Sequence, residues 1–222
     1  MAGDSILERV QLADGKEMVL LRWEQHVEIR IDDRPLMSTH DSTSERALGE
    51  LVAARLEGLP APRILIGGLG FGFTVRAALD ALPGDARVVV AELVPAVVRW
   101  NRGEYGTYAG RPLDDPRVEV LTEDVAAVIA RDKHAYDAIV LDIDNGPDAL
   151  VHAGNAEIYK RAGLERTRAA LKGPGVLAVW SAFPSKTFTK WLRDLGFEVT
   201  VERIKSADPR GPRYYIWMAQ LA

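Results

Sequence analysis

The sequence predicts an α/β protein with a seven-stranded, mostly parallel sheet whose last strand pair is antiparallel, preceded by a small N-terminal β-hairpin region. Three observations predict it. Short continuous apolar runs, "RILIGG", "RVVVAEL", "RVEVLTED", "YDAIVLDID" and "GVLAVWSA", alternate with amphipathic stretches, as expected of strands buried on both faces and joined by helical crossovers. The final pair, "FEVTVERI" and "RYYIWMAQL", is separated only by the turn-rich "KSADPRGP", too short for a helical crossover. The first 36 residues or so instead alternate apolar and polar side chains, the period of half-buried strands.

The elements follow in order. "EMVLLRWEQ" and "HVEIRIDD" predict two N-terminal strands, with Asp14-Gly15 and Asp32-Asp33 as turn material. A helix follows in "DSTSERALGELVAARLEG", where Ser42 and Glu45 have capping-box spacing, Leu48, Leu51, Val52 and Leu56 share a face, and Gly58 can end it. This divides the chain into an N-terminal region, 1–38, and a larger domain, 39–222. At 222 residues and 47% hydrophobic content the chain has ample material for a cooperative core.

Composition narrows the function. With no cysteine there is neither a disulfide nor a thiolate metal site, and His26, His40, His134 and His152 lack ligand spacing, so no metal is expected. The N-terminus lacks the basic-then-apolar build of a signal peptide, and no apolar run approaches the roughly 20 residues of a membrane span. The expectation is a cytoplasmic protein. Net charge is −4 with both signs interspersed, which favours a small-molecule partner over nucleic acid or membrane.

The glycine turn in "ILIGGLGFGFTVRAALD" points to the ligand class. Gly68, Gly70 and Gly72 stand between a strand and a helix, where glycine lets backbone approach a ligand and the helix start presents free N–H groups. The dinucleotide fingerprint fails because its third glycine falls on Phe73, and no G-K-[ST] follows for a phosphate loop. Glu92 ends the next strand at the interval where an acid accepts hydrogen bonds from ribose hydroxyls. Glu123 and Asp124 end the third, within expected reach of an adenine edge. Glycine, acid and acid at consecutive strand ends predict an adenosine-type site.

These residues resemble class I S-adenosylmethionine-dependent methyltransferases, and most closely their spermidine synthase (polyamine aminopropyltransferase) branch. "ILIGGLGFG" is similar to that family's glycine motif, "VVVAELVPAVV" to its ribose-binding acid and helix, "DDPRVEVLTEDV" to its third strand and "YDAIVLDIDNGP" to its catalytic-strand motif. The resemblance implies a Rossmann-like fold, an S-adenosylmethionine or decarboxylated S-adenosylmethionine donor and a homodimer. Three departures stand out. Leu69 occupies the place of the family's aspartate for the donor amine, and "DIDNGP" has Asn145 where the second aspartate of D-x-x-D-P is expected. The family's gate glutamine and Tyr-His pair are not evident, with Met37, Thr43 and Ser44 nearby instead.

The candidate catalytic residues are Asp142, Asp144 and Asn145, since a carboxylate at a strand end can orient an ammonium and accept its proton. Candidate cofactor residues are Gly68, Gly70, Gly72, Glu92, Glu123 and Asp124. Candidate acceptor-pocket residues are His40, Asn155, Tyr159 and Trp180. His40 and Asp41 precede the first long helix and could close over the site as a lid, with an exposed loop histidine the competing and favoured reading of His40. For Asn155, a helix cap is the competing role, and for Tyr159 and Trp180, core packing.

The sequence-level expectation is group transfer from an S-adenosylmethionine-type donor to a small, amine-bearing acceptor. Leu69 removes a counter-charge for a cationic tail, which favours methyl transfer, with tighter binding of the carboxylated donor. The alternatives are aminopropyl transfer of the spermidine synthase kind and a non-catalytic nucleoside-binding homologue.

Overall fold

The computed structural model describes residues 5–143, 146–147 and 156–221. Four antiparallel strands come first, β1 (Ser5–Gln11), β2 (Glu17–Trp23), β3 (His26–Ile31) and β4 (Arg34–Ser38), in the order β1-β2-β3-β4. The sequence pattern gave the inner two. The outer two escape it because their side chains are exposed or only half-buried, so they carry no clean alternation.

Helix α1 (Thr43–Arg55) then leads into the main sheet. Its strands are β5 (Arg63–Gly67), β6 (Arg87–Ala91), β7 (Val118–Leu121), β8 (Tyr136–Leu141), β9 (Leu171–Ser181), β10 (Phe197–Lys205) and β11 (Arg213–Leu221), ordered β10-β11-β9-β8-β5-β6-β7. The pairs linking β5 to β9 are parallel and those involving β11 antiparallel, as the sequence predicts. The helices are α2 (Phe73–Ala81), α3 (Pro95–Arg102), α4 (Val125–Arg131), α5 (Ala156–Tyr159), α6 (Arg161–Ala170) and α7 (Lys186–Asp194). No helix among the described residues is long and apolar enough to cross a membrane.

Period-two alternation sorts the core into two layers. Ile64, Ile66, Val88, Val90, Ala138 and Val140 face one side, packing with Leu48 and Val52 of α1, Leu79 of α2 and Val97 and Trp100 of α3. Leu65, Val89, Ile139 and Leu141 face the other, with Val128 and Ile129 of α4, Leu164 of α6 and Phe188 and Leu192 of α7. The N-terminal sheet joins the first layer through Met18, Leu20, Val27, Ile29 and Ile31. The Trp100 indole N–H also donates to Glu8 on β1 at 2.7 Å.

The capping box expected of α1 is not formed. Ser42 makes no side-chain cap, and Glu45 turns inward, accepting from the Ser44 hydroxyl at 2.8 Å. The "DDPR" segment has a structural task. Arg117 donates to Asp115 at 2.8 and 3.0 Å and to the carbonyls of Leu79, Leu82 and Pro83, closing the C-terminal end of α2. Its partner holds the Asp115 carboxyl at about 2. Arg117→Ala should therefore cost about 1–3 kcal/mol, or roughly 2–4 °C of melting temperature per kcal/mol in a domain of this size. A thermal scan checks the loss, and nucleoside affinity should stay unchanged.

Candidate active site

Strand order reverses between β5 and β8, so their carboxyl ends open a crevice at the switch point. There β5 runs into Gly68, whose N–H donates to the Ala91 carbonyl at 2.9 Å, while the Asp142 N–H donates to Gly67 at 2.9 Å. Gly68 has φ +86°, and a Cβ on it would lie 2.1 Å from the Asp142 carbonyl oxygen. Only glycine lets the two strand ends approach this closely. Gly70, at φ +52°, sits under the Met37 sulfur, which also accepts from the Phe71 N–H at 3.1 Å. Gly72 is the N-cap of α2 and packs against Pro112 and Asn101 instead of facing the crevice.

The crevice widens into a cavity of about 560 Å³ roofed by the N-terminal sheet, including Met18, Ile29, Ile31, Leu36 and Met37. Its floor carries Gly68, Leu69, Gly70, Glu92, Asp124 and Asp142, and Trp180 lines it from β9. Glu92, 8% exposed, accepts from the Leu69 N–H at 2.9 Å and the Val94 N–H at 2.8 Å. Burial pushes its carboxyl upward, opposed by those backbone donors. Two N–H bonds fix the carboxylate's orientation and leave lone pairs for a ligand's hydroxyls.

Asp142 follows β8 directly and accepts from the Thr74 hydroxyl at 2.7 Å. Burial pushes its carboxyl up to about 6, against the effect of that bond. Glu45 lines the same cavity from α1 and is 9% exposed. Burial first, and then the Asp142 charge, push it up to about 7. Both acids bind protons more tightly in the folded chain than at their ordinary values of 3.8 and 4.5. Their contribution to stability is fully present below those values and is lost as pH rises through about 6 and 7. Calorimetric scans should show the melting temperature falling between pH 5 and 8, and falling less in the Asp142→Asn, Glu45→Gln double variant.

The other candidates fall in different places. Asp124 lines the cavity and caps α4, accepting from the Ala126 N–H at 2.8 Å. Glu123 turns away to Arg131, 2.8 Å distant, and is not part of the cavity wall, since its carboxylate is drawn to the last turn of α4. Tyr159 packs in the opposite core layer, edge-on to Phe188, and so does not line an acceptor pocket. His40 is exposed beside His26 and Trp23, outside the cavity. Asp41 is no lid residue either. It accepts from the Thr43 and Ala207 N–H groups, both at 2.9 Å, and so ties this segment to the turn between β10 and β11. Asp144, Asn145 and Asn155 lie outside the described residues.

Sequence reasoning missed the cavity role of Glu45. The available signal was its position three residues before Leu48 and seven before Val52, an acid on the buried face of an amphipathic helix.

No protein-family model matches the chain. It is 35% identical over 97 residues to a polyamine aminopropyltransferase of Thermoanaerobacter sp. (strain X514), a match covering 44% of this chain and 34% of that protein. It is 32% identical over 124 residues to polyamine aminopropyltransferase 2 of Pseudomonas aeruginosa, covering 54% and 33%. The chain thus spans about a third of the length of the curated relatives it matches. Among solved structures it is similar to spermidine synthase from Thermotoga maritima, with a TM-score of 0.75 at 18% identity over 98% of this chain and 73% of that one. A spermidine synthase in complex with the transition-state analogue AdoDATO gives 0.73 at 18% identity, over 98% and 72%. The fold is that of these solved spermidine synthases.

Proposed function

We propose that the chain transfers an aminopropyl group from decarboxylated S-adenosylmethionine to a small amine. One observation carries this reading. The described cavity wall holds five acids, Asp14, Glu45, Glu92, Asp124 and Asp142, and neither lysine nor arginine. A donor with a free carboxylate would meet only like charge there, while a cationic tail would find partners. The names of the relatives point the same way, supporting the aminopropyl alternative over methyl transfer. Leu69 is buried and brings no charge, but acids on neighbouring elements line the same cavity.

The residues present fit such a donor. Glu92 is placed to accept from ribose hydroxyls, and the Gly68 to Gly70 turn allows close backbone approach. When bound, the donor supplies a sulfonium whose C–S bond is activated for displacement. Asp142 holds the attacking ammonium, takes its proton and frees the nitrogen lone pair. The new C–N bond forms as the C–S bond breaks, its electron pair leaving on sulfur as neutral methylthioadenosine. The apolar roof from Met18, Ile29 and Ile31 excludes water that would compete as nucleophile.

Calorimetric titration with the two donors tests the reading. Decarboxylated S-adenosylmethionine should bind at least about tenfold more tightly than S-adenosylmethionine, the scale of one unpaired charge interaction. Equal affinities, or tighter binding of the carboxylated form, would restore methyl transfer.

A further inference from the structure

We propose that Glu45 is the residue that selects a cationic ligand in this cavity, and that it loses a proton as the cation enters. The inference rests on the amine reading above and assigns a specific side chain to it. Where the resemblance places an acid inside the glycine turn, this chain has Leu69. The replacement carboxylate arrives from a different element, the first turn of α1, which the fold lays against the same cavity.

The geometry supports the assignment. Glu45 and Asp142 line one cavity from α1 and from the end of β8. The groups that act on Glu45 are the Ser44 hydroxyl beside it, the Asp142 and Asp41 carboxylates, and its effect reaches the Tyr214 hydroxyl on β11. Both of those charges are negative. A second carboxylate set near Asp142, with no cation acting on it among the described residues, resists ionisation, so near neutral pH the pair carries less than its full charge. An ammonium between them reverses that balance. Its charge stabilises both carboxylates at once, Glu45 gives up its proton, and ligand and pair end as a matched set. A neutral ligand makes no such demand, so proton release reports which ligand the site is built for.

The fold explains why the acid sits there. Ser44, Glu45, Leu48, Gly49 and Val52 form the buried face of α1, and Gly49 allows α1 to approach α2, since a Cβ there would lie 2.5 Å from the Thr74 carbonyl oxygen. Thr74 in turn holds Asp142. One helix packing therefore sets the spacing of the two carboxylates.

The test compares wild type and Glu45→Gln with two probes, methylthioadenosine and decarboxylated S-adenosylmethionine, by calorimetry at pH 7 in buffers of different ionisation enthalpy. Glutamine matches the protonated acid in shape, so the variant should melt no lower than wild type. Wild type should prefer the cationic donor and release about half a proton on binding it, as expected for a group near half-protonation, and release none with methylthioadenosine. In Glu45→Gln, donor affinity should fall about tenfold and the release should largely vanish, with methylthioadenosine affinity unchanged. A preference and proton release that persist in Glu45→Gln overturn the role of Glu45 alone. Wild type that binds methylthioadenosine without preferring the cationic donor overturns the amine reading, and the inference with it. Wild type that binds neither probe overturns the nucleoside site itself.

Discussion

Asp142→Asn is expected to lower turnover by about two to four orders of magnitude while leaving nucleoside affinity nearly unchanged. Asparagine preserves the shape and can keep a hydrogen bond with Thr74, yet it cannot take a proton from an ammonium. The position of Asp142 suits the task. Burial lifts its carboxyl to about 6, close enough to neutrality for a base that is ionised at pH 7 and still accepts a proton readily. The rate in wild type should accordingly rise through about pH 6 as the carboxyl ionises. A structural role makes the opposite prediction. The variant would then keep its rate and change only in melting temperature. Steady-state kinetics, a thermal scan and a nucleoside titration on the same preparations separate the two.

Glu92→Ala should weaken nucleoside binding by about 1.5–3 kcal/mol, the range of charge-assisted hydrogen bonds. Truncation also removes the acceptor for the Leu69 and Val94 N–H groups, so some loss of melting temperature should accompany it. Glu92→Gln keeps one acceptor oxygen but turns an amide NH2 toward the other backbone N–H, so it should recover only part of the stability and part of the affinity. A Glu92→Ala protein that binds methylthioadenosine like wild type would remove this strand end from the ribose site.

The main sheet was legible because its strands are buried on both faces, and such strands write continuous apolar runs into a sequence. The glycine turn and Glu92 were legible for a related reason, since strand ends at a switch point carry chemistry at fixed intervals. What escaped were features decided by tertiary placement. Glu45 has the local spacing of a cap with Ser42, and only the packing of α1 against α2 turns it into the cavity. Tyr159 has a spacing equally suited to a pocket wall, but its helix lies on the opposite face of the sheet. The roof is another such case. Outer strands β1 and β4 bury too little to alternate cleanly, so a four-stranded cover looked like a single hairpin region.

At position 69 alone a leucine is a missing charge, whereas the cavity gathers carboxylates from α1 and from the ends of β6 and β8. Electrostatic character belongs to the assembled wall.

The central claim is best tested by following products with decarboxylated S-adenosylmethionine and 1,4-diaminobutane together, using mass spectrometry to count both. Aminopropyl transfer predicts methylthioadenosine and a triamine formed in equal amounts, each dependent on both substrates. Failure to form the triamine by a protein that binds the donor, or formation of S-adenosylhomocysteine and a methylated amine when S-adenosylmethionine is supplied instead, would contradict it.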